Sequence, residues 1–127
     1  MCELELEDKL QLLKDGLTEL AIEIGDTQIS PKSLSLLCLD FEVPVDIRDS
    51  WILEFQKLSD IKYDKYSSKE IISTFRNKMQ ERFEPAKDFS DLTVFSFIRV
   101  ISKNLVEELY PLSCLLEIEF SLTADLN

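Results

Sequence analysis

The hydrophobic positions near the C-terminal end follow a helical period. Five apolar residues recur at steps of three or four, namely Phe95, Ile98, Ile101, Leu105 and Leu109. This spacing predicts one buried face of an α-helix. We expect Pro111 to end the helix, because proline has no N–H to donate and moves the preceding residue out of the α region.

Beyond Pro111 the hydrophobic period falls to two. Four apolar residues alternate with polar ones, namely Leu116, Ile118, Phe120 and Leu122. Strict alternation is typical of a strand with one face on the core and one in water. A helix followed by such a strand favours helices packed on one face of an antiparallel sheet.

The N-terminal segment, residues 8–25, allows two interpretations. A helical stripe is formed by Leu6, Leu10, Leu13, Leu17, Leu20 and Ile24. Gly16 argues against a helix, because a glycine in a helix interior lowers helix stability by about 1 kcal/mol relative to alanine. The Gly25-Asp26 pair also indicates a turn or bulge, and Leu20, Ile22 and Ile24 alternate. We interpret this segment as two short strand pieces and keep the helix as the alternative.

The middle of the chain predicts one strand and one long connection. Residues 37–43 alternate between apolar and polar and are interpreted as a strand. Ser30-Pro31 starts either a short helix or a loop into that strand. Residues 46–65 are polar and are interpreted as a connection with one helical turn around Trp51.

A capping pattern marks the next helix, from Ser67 to Phe83. Ser67 followed three residues later by Glu70 forms a capping box, in which each side chain accepts a backbone N–H of the first turn. Pro85 is expected to end this helix, and Ser90-Asp91 to start the next one.

Together these elements predict one α+β domain over residues 1–127. The order β-β-α-α-β gives an antiparallel sheet of three to four strands with two helices on one face. Residues 1–7 form an N-terminal extension in which Leu4 and Leu6 alternate with glutamates. Either the sheet has three strands, or this extension supplies a further strand at its edge.

Charge and composition exclude several classes of function. The net charge is −11, which disfavours nucleic-acid binding because phosphate contacts need a basic surface. No apolar run approaches the roughly 20 residues of a membrane span, and the acidic N-terminus is unlike a signal peptide. The widely spaced Cys2, Cys38 and Cys114 fit free thiols in a reducing compartment, so we expect a cytoplasmic protein.

The chain contains no histidine. Ser-His-Asp and Cys-His catalysis are therefore excluded, as are zinc sites that depend on imidazole. No calcium-loop motif is present, and we expect neither a metal nor a cofactor.

Several motifs occur in the order found in one enzyme family. They are Asp8-Lys9-Leu10-Gln11-Leu12, Ile24-Gly25, LCLDFEV at residues 37–43, LSDIKY at residues 58–63, and Tyr110-Pro111 before Leu116. In this order and spacing the chain resembles the dihydroneopterin aldolases, which have the tunnelling fold, or T-fold. The resemblance covers about residues 8–122.

The resemblance implies a function and an assembly. It implies a metal-free lyase of folate biosynthesis that cleaves dihydroneopterin to 6-hydroxymethyl-dihydropterin and glycolaldehyde by a retro-aldol reaction. It also implies a homo-oligomer, a tetramer or an octamer, in which subunits form a ring and bind the pterin between neighbours. Ring closure seals the sheet edges.

The resemblance also assigns site residues. Tyr63 stands at the catalytic tyrosine position, and Lys62 or Lys65 is the candidate for the catalytic ammonium group. The substrate-binding positions carry altered residues, namely Phe95 or Ser96 with Phe97, and Ser30. The family's lysine position falls on Leu122. Because these residues differ, the alternative is a non-catalytic T-fold-like interaction or inhibitor protein that uses an acidic sheet face.

Overall fold

The computed structural model describes residues 5–27 and 30–126, with side chains up to Phe120. Within these ranges there are α-helices and short 3₁₀ turns and no strand. The helices are α1 (Leu6–Glu23), α2 (Leu34–Asp40), α3 (Val45–Leu58), α4 (Ser68–Arg82), α5 (Asp91–Asn104) and α6 (Tyr110–Leu126). The 3₁₀ turns are Tyr63–Lys65, Glu84–Asp88 and Glu107–Leu109.

Helix α5 is the centre of the domain. Every residue from Thr93 to Ser102 is buried, so this helix is enclosed on all sides. It packs against α2, α3, α4 and α6. A helix that is mostly apolar around its whole circumference needs such an enclosure, because no face of it is suited to water.

Aromatic side chains join α3 and α4 to this centre. Trp51 is fully buried, its ring lies edge-on 5.3 Å from that of Phe97, and its indole N–H donates to the carbonyl of Met79 at 3.2 Å. One turn along α3, the Phe55 ring lies 4.8 Å from that of Phe75, also edge-on. These contacts bring three helices together around one cluster of rings.

The α+β prediction is wrong, and α6 shows why. The segment 116–122, predicted as a strand, lies within this helix. Apolar residues alternate in this segment, but the buried residues follow the spacing of a helix. The buried residues here are Leu109, Leu112, Ser113 and Leu116. Pro111 lies in the first turn of α6, where its missing N–H has no intrahelical partner to lose, so it starts a helix rather than ending one.

The strand predicted at residues 37–43 is also wrong. The Ser33 hydroxyl accepts the Leu36 N–H at 3.2 Å and starts α2. After the helix, Glu42 takes a left-handed conformation with φ of 58°, and the Val43 N–H donates back to the Cys38 carbonyl at 2.8 Å. This pattern is a Schellman motif, which closes a helix end.

Most of the 14-residue helix α3, which begins at Val45, lies in the predicted connection at residues 46–65. The polar residues that suggested a loop lie on its outer side, while Trp51, Phe55 and Leu58 are buried. Their spacing of four and three residues is the helical signal that the composition of the segment concealed.

The capping predictions are confirmed. Ser67 and Glu70 form the capping box of α4, and the Ser90 hydroxyl accepts the Thr93 N–H at the start of α5. Helix α4 ends at Arg82, before Pro85. Helix α5 ends at Asn104, before the last two residues of its predicted apolar face. Of these, Leu105 follows the helix and Leu109 lies in the 3₁₀ turn before α6.

The two strand pieces predicted for residues 8–25 are wrong, and the helical alternative is correct. Helix α1 includes Gly16, and beyond its chain neighbours and the nearby backbone of α1 no described heavy atom lies within 4 Å of the position where a Cβ would be. The helix closes at Gly25, whose φ is 94°, with the Asp26 N–H donating to the Ala21 carbonyl at 2.9 Å. Residues 1–4 of the predicted extension, which include Cys2, lie outside the described residues.

Mutations at a buried and at an exposed position of α3 should change the stability of the protein by different amounts. We expect Phe55→Ala to lower the free energy of unfolding by about 3–5 kcal/mol, because it leaves a cavity beside Phe75. Leu53 is 60% exposed on the same helix, so Leu53→Ala is the matched control and should cost less than about 0.5 kcal/mol. Urea unfolding measures both, and equal losses would contradict this core.

Candidate functional site

An exposed row of apolar residues runs along α1 and ends at its C-cap, Ile24. We call it the leucine stripe, and it consists of Leu6, Leu10, Leu13, Leu17, Leu20 and Ile24. Its members are between 52% and 69% exposed. Contiguous apolar surface on this scale marks an interaction site, whereas scattered exposed leucines are ordinary.

Helix α1 is attached to the domain through a neighbouring face and not through the stripe. Ala21 is its buried residue, Thr18 is half-buried, and the Lys14 ammonium lies 3.7 Å from the Asp40 carboxylate of α2. Beyond the Gly25 turn, the Asp26 carboxylate accepts the Lys32 N–H at 2.6 Å. These contacts hold α1 against α2 and leave the stripe in water.

The spacing along the stripe is four, three, four, three and four residues. This is the a/d spacing of a heptad repeat, in which apolar side chains insert between those of a facing helix. Leu12 and Ile22 are 58% and 61% exposed but lie off the stripe. The repeated spacing therefore matches the pattern of a helix-pairing seam.

Charges around α1 are arranged in two groups. Asp8, Asp15 and Glu19 lie on the face opposite the stripe, at heptad positions c and f. Four charged residues flank the stripe at positions e and g, namely Glu7, Lys9, Lys14 and Glu23. The flanking positions thus carry two acids and two bases, and the acidic excess of α1 lies on its outer face.

Tyr63, the predicted catalytic tyrosine, is held in place by contacts with the core. Its hydroxyl donates to the Leu58 carbonyl at 2.7 Å, at the end of α3, and its ring stacks at 6.0 Å from that of Phe75. Burial raises the pKa of Tyr63 to about 12, so the hydroxyl keeps its proton at neutral pH. Lys62 and Lys65 are exposed neighbours in the chain.

The predicted substrate-binding residues lie elsewhere. Ser96 donates its hydroxyl to the Leu92 carbonyl at 3.0 Å, and Phe97 is fully buried among the core rings. The Ser30 hydroxyl accepts from the Lys32 ammonium at 3.2 Å. Ser96 lines a cleft of about 290 Å³ between the loop after α1, α2 and α5, whereas Tyr63 lines other cavities, so the structure does not bring these residues together.

The aldolase assignment is wrong, and so are the lyase, folate and T-fold terms attached to it. That function requires a sheet to carry the pterin site, and the described residues form helices instead. The acidic sheet face of the alternative is likewise lacking within residues 5–27 and 30–126. The pterin and the ring oligomer remain predictions, although the exposed sheet edges that motivated the ring are not found there.

A buried cluster missed by the sequence reasoning joins α5 to α6. The Arg99 guanidinium lies 2.9 Å from the Glu117 carboxylate, donates to the Ser113 hydroxyl at 2.9 Å, and stacks 5.0 Å from the Tyr110 ring centre. Burial opposes the charge of Arg99, but its hydrogen bond to Cys114 and the charge of Glu117 outweigh that effect and raise its pKa. The cluster accounts for a charged residue inside the core.

The described residues contain neither a membrane-spanning helix nor a cluster of metal-binding side chains. No helix in that part of the chain is both long enough and apolar enough to cross a bilayer. No three His, Cys, Asp or Glu side chains in the same residues come close enough to hold a metal ion.

Comparison of the chain with protein-family models, curated proteins and solved structures finds no match.

The environment of Tyr63 predicts a pH effect. A pKa of about 12, against about 10 for an exposed tyrosine, means that the neutral form is favoured by folding. Its contribution to stability is therefore complete below pH of about 10 and is lost as the pH rises through about 12. Absorbance titration of tyrosinate should show a component near 12 that disappears in Tyr63→Phe and remains in Tyr66→Phe.

The Arg99 cluster predicts a second stability effect. We expect Arg99→Met to lower the free energy of unfolding by about 1–3 kcal/mol, because the half-buried Glu117 and the buried Ser113 lose their charged partner. Lys103→Met, one turn along α5 at an exposed position, is the control. Chemical denaturation compares the two variants, and a loss no larger than the control's would argue against the cluster's role.

Proposed function

We propose that this protein is a helical protein–protein interaction domain that binds another α-helix through the leucine stripe of α1. The observation that carries the proposal is the stripe itself, six apolar side chains in heptad spacing that are all more than half exposed. The domain body holds α1 in place and leaves the stripe accessible.

The geometry of the stripe favours a helical partner. Heptad spacing keeps the apolar side chains in a narrow line, and a second helix crossing at about 20° follows such a line over several turns. An added strand requires a free strand edge, and the described residues supply none. The partner is therefore an amphipathic helix with a matching apolar face.

Energetics also support a covered stripe. Fully burying one leucine side chain is worth about 1.5–3 kcal/mol, and the stripe has five leucines and one isoleucine. A helix of the length of α1 is marginal in water without tertiary packing, and α1 packs on α2 through only one narrow face. Covering the stripe stabilises the helix and removes apolar surface from water at the same time.

A membrane surface is a poorer partner for α1. Helices that lie on anionic lipid carry lysine and arginine around their polar face. The polar face of α1 carries Asp8, Asp15 and Glu19 instead, and the whole chain has a net charge of −11. Repulsion from an acidic bilayer therefore opposes binding there.

The cysteines support a cytoplasmic location for this interaction. Cys38 and Cys114 are free thiols. Burial raises the pKa of Cys38 to about 11, which keeps it as an unreactive thiol. Free cysteines of this kind fit a reducing compartment.

Site-specific photo-crosslinking tests the proposal. A photoreactive side chain is placed at Leu13, on the stripe, and separately at Leu12, which is equally exposed but off the stripe. In cells that produce the protein, we expect position 13 to crosslink to a helical segment of a partner with several times the yield of position 12. Mass spectrometry of the crosslinked peptides identifies that segment.

The control position makes the outcome decisive. Leu12 and Leu13 share the same helix, residue type and solvent exposure, so non-specific contact labels both equally. Equal yields at the two positions, or crosslinks only to segments that are not helical, would remove the proposed function.

A further inference from the structure

We infer that the helix covering the leucine stripe is α1 of a second copy of this chain, running antiparallel to the first. This inference rests on the function proposed above and specifies the partner. The arrangement of charges around the stripe and the position of the domain body along α1 both favour this partner.

The charges that flank the stripe are balanced. Glu7 and Lys14 lie on one side of it, and Lys9 and Glu23 lie on the other. A stripe flanked by one sign of charge calls for a partner of the opposite sign. A stripe flanked by two acids and two bases is complementary to itself, provided that the two helices run in the direction that pairs unlike charges.

An antiparallel pair matches both the apolar and the charged positions. When the antiparallel pair is centred on residue 15, each apolar residue of the stripe faces an apolar residue of the second copy. The facing pairs are Leu6 with Ile24, Leu10 with Leu20, and Leu13 with Leu17. The g positions then face each other along one edge. Lys9 of each copy meets Glu23 of the other, so two ion pairs form by symmetry.

A parallel pair fits less well. In a parallel pair, each g position of one helix faces the e position of the other helix that is five residues later in sequence. Lys9 of each copy therefore faces Lys14 of the other, which gives two like-charge contacts. The antiparallel pair has one like-charge contact, between the two Lys14 residues at the symmetry axis. Each of these lies 3.7 Å from the Asp40 carboxylate of its own chain, which reduces the repulsion.

The position of the domain body favours the same direction. The residues of α1 that the domain body covers, the half-buried Thr18 and the buried Ala21, lie in its later half, and the Lys14–Asp40 ion pair joins α2 near its middle. A parallel pair places both bodies at the same end of the coil, and each chain carries a net charge of −11. An antiparallel pair places them toward opposite ends, which lowers their mutual repulsion.

The centre of the pair has room for close approach. Gly16 lies near the midpoint at a g position, and beyond its chain neighbours and the nearby backbone of α1 no described heavy atom lies within 4 Å of the place where its Cβ would be. Two glycines facing each other across the axis bring the backbones near without a steric clash. This offers a reason for the presence of a residue that weakens an isolated helix.

Analytical ultracentrifugation of the full chain over a range of concentrations tests the inference. We expect a monomer–dimer equilibrium, weakened at least about a hundredfold by Leu13→Glu, since a carboxylate would be buried in the seam. Leu12→Glu, off the stripe, should leave the equilibrium unchanged. Circular dichroism checks that both variants keep their helices.

Charge reversal tests the direction of the pair. Lys9→Glu and Glu23→Lys are both at exposed positions, and each turns two ion pairs into two repulsions. We expect each variant to weaken its own dimer about tenfold, and an equal mixture of the two variants to form a heterodimer at least as tight as the original. A parallel pair behaves differently, since Lys9→Glu would strengthen it.

The outcomes separate the two proposals. A dimer strengthened by Lys9→Glu overturns the antiparallel pair, and so does a chain that stays monomeric at every concentration. If position 13 then crosslinks to the helix of another protein, the proposed helix-binding function stands and only self-pairing is lost. If positions 12 and 13 crosslink equally, the helix-binding function is lost as well.

Discussion

The burial of α5 on all sides organises the domain. A helix buried along ten consecutive residues must be covered on every side, and α2, α3, α4 and α6 supply that cover. Even Arg99, the charged residue within it, is accommodated by partners on α6. The arrangement of the other elements follows from this demand, since each presents its apolar face to α5 and its polar face to water.

Helix α1 lies outside that arrangement. The core is complete without it, and it contacts the domain through Thr18, Ala21 and the Lys14–Asp40 ion pair beside the leucine stripe. A domain that buries its large aromatic residues this thoroughly has no need to leave six aliphatic side chains in water. We therefore propose that the exposed stripe serves an interaction beyond the single chain, with a helix that its balanced flanking charges would fit.

Local signals in the sequence were reliable where they reflect hydrogen bonds made within one helical turn. The Ser67–Glu70 box and the Ser90 cap depend only on neighbouring backbone groups, so they could be predicted. Alternation was misleading in the segments 37–43 and 116–122, because helical and strand periods coexist in short apolar runs. Only the buried set, such as Leu112 and Leu116 of α6, shows which period the fold uses.

Residue identity and local backbone bonding were enough to give the caps at Ser67 and Ser90, the lack of histidine, the acidic charge and the heptad spacing of the stripe. The sequence by itself did not decide whether Leu6 to Ile24 would be buried or exposed. That required the tertiary structure, since exposure depends on which faces the core of α3, α4, α5 and α6 leaves uncovered. The same reason explains Tyr63, whose motif suggested catalysis and whose packing against Phe75 and Leu58 made it structural.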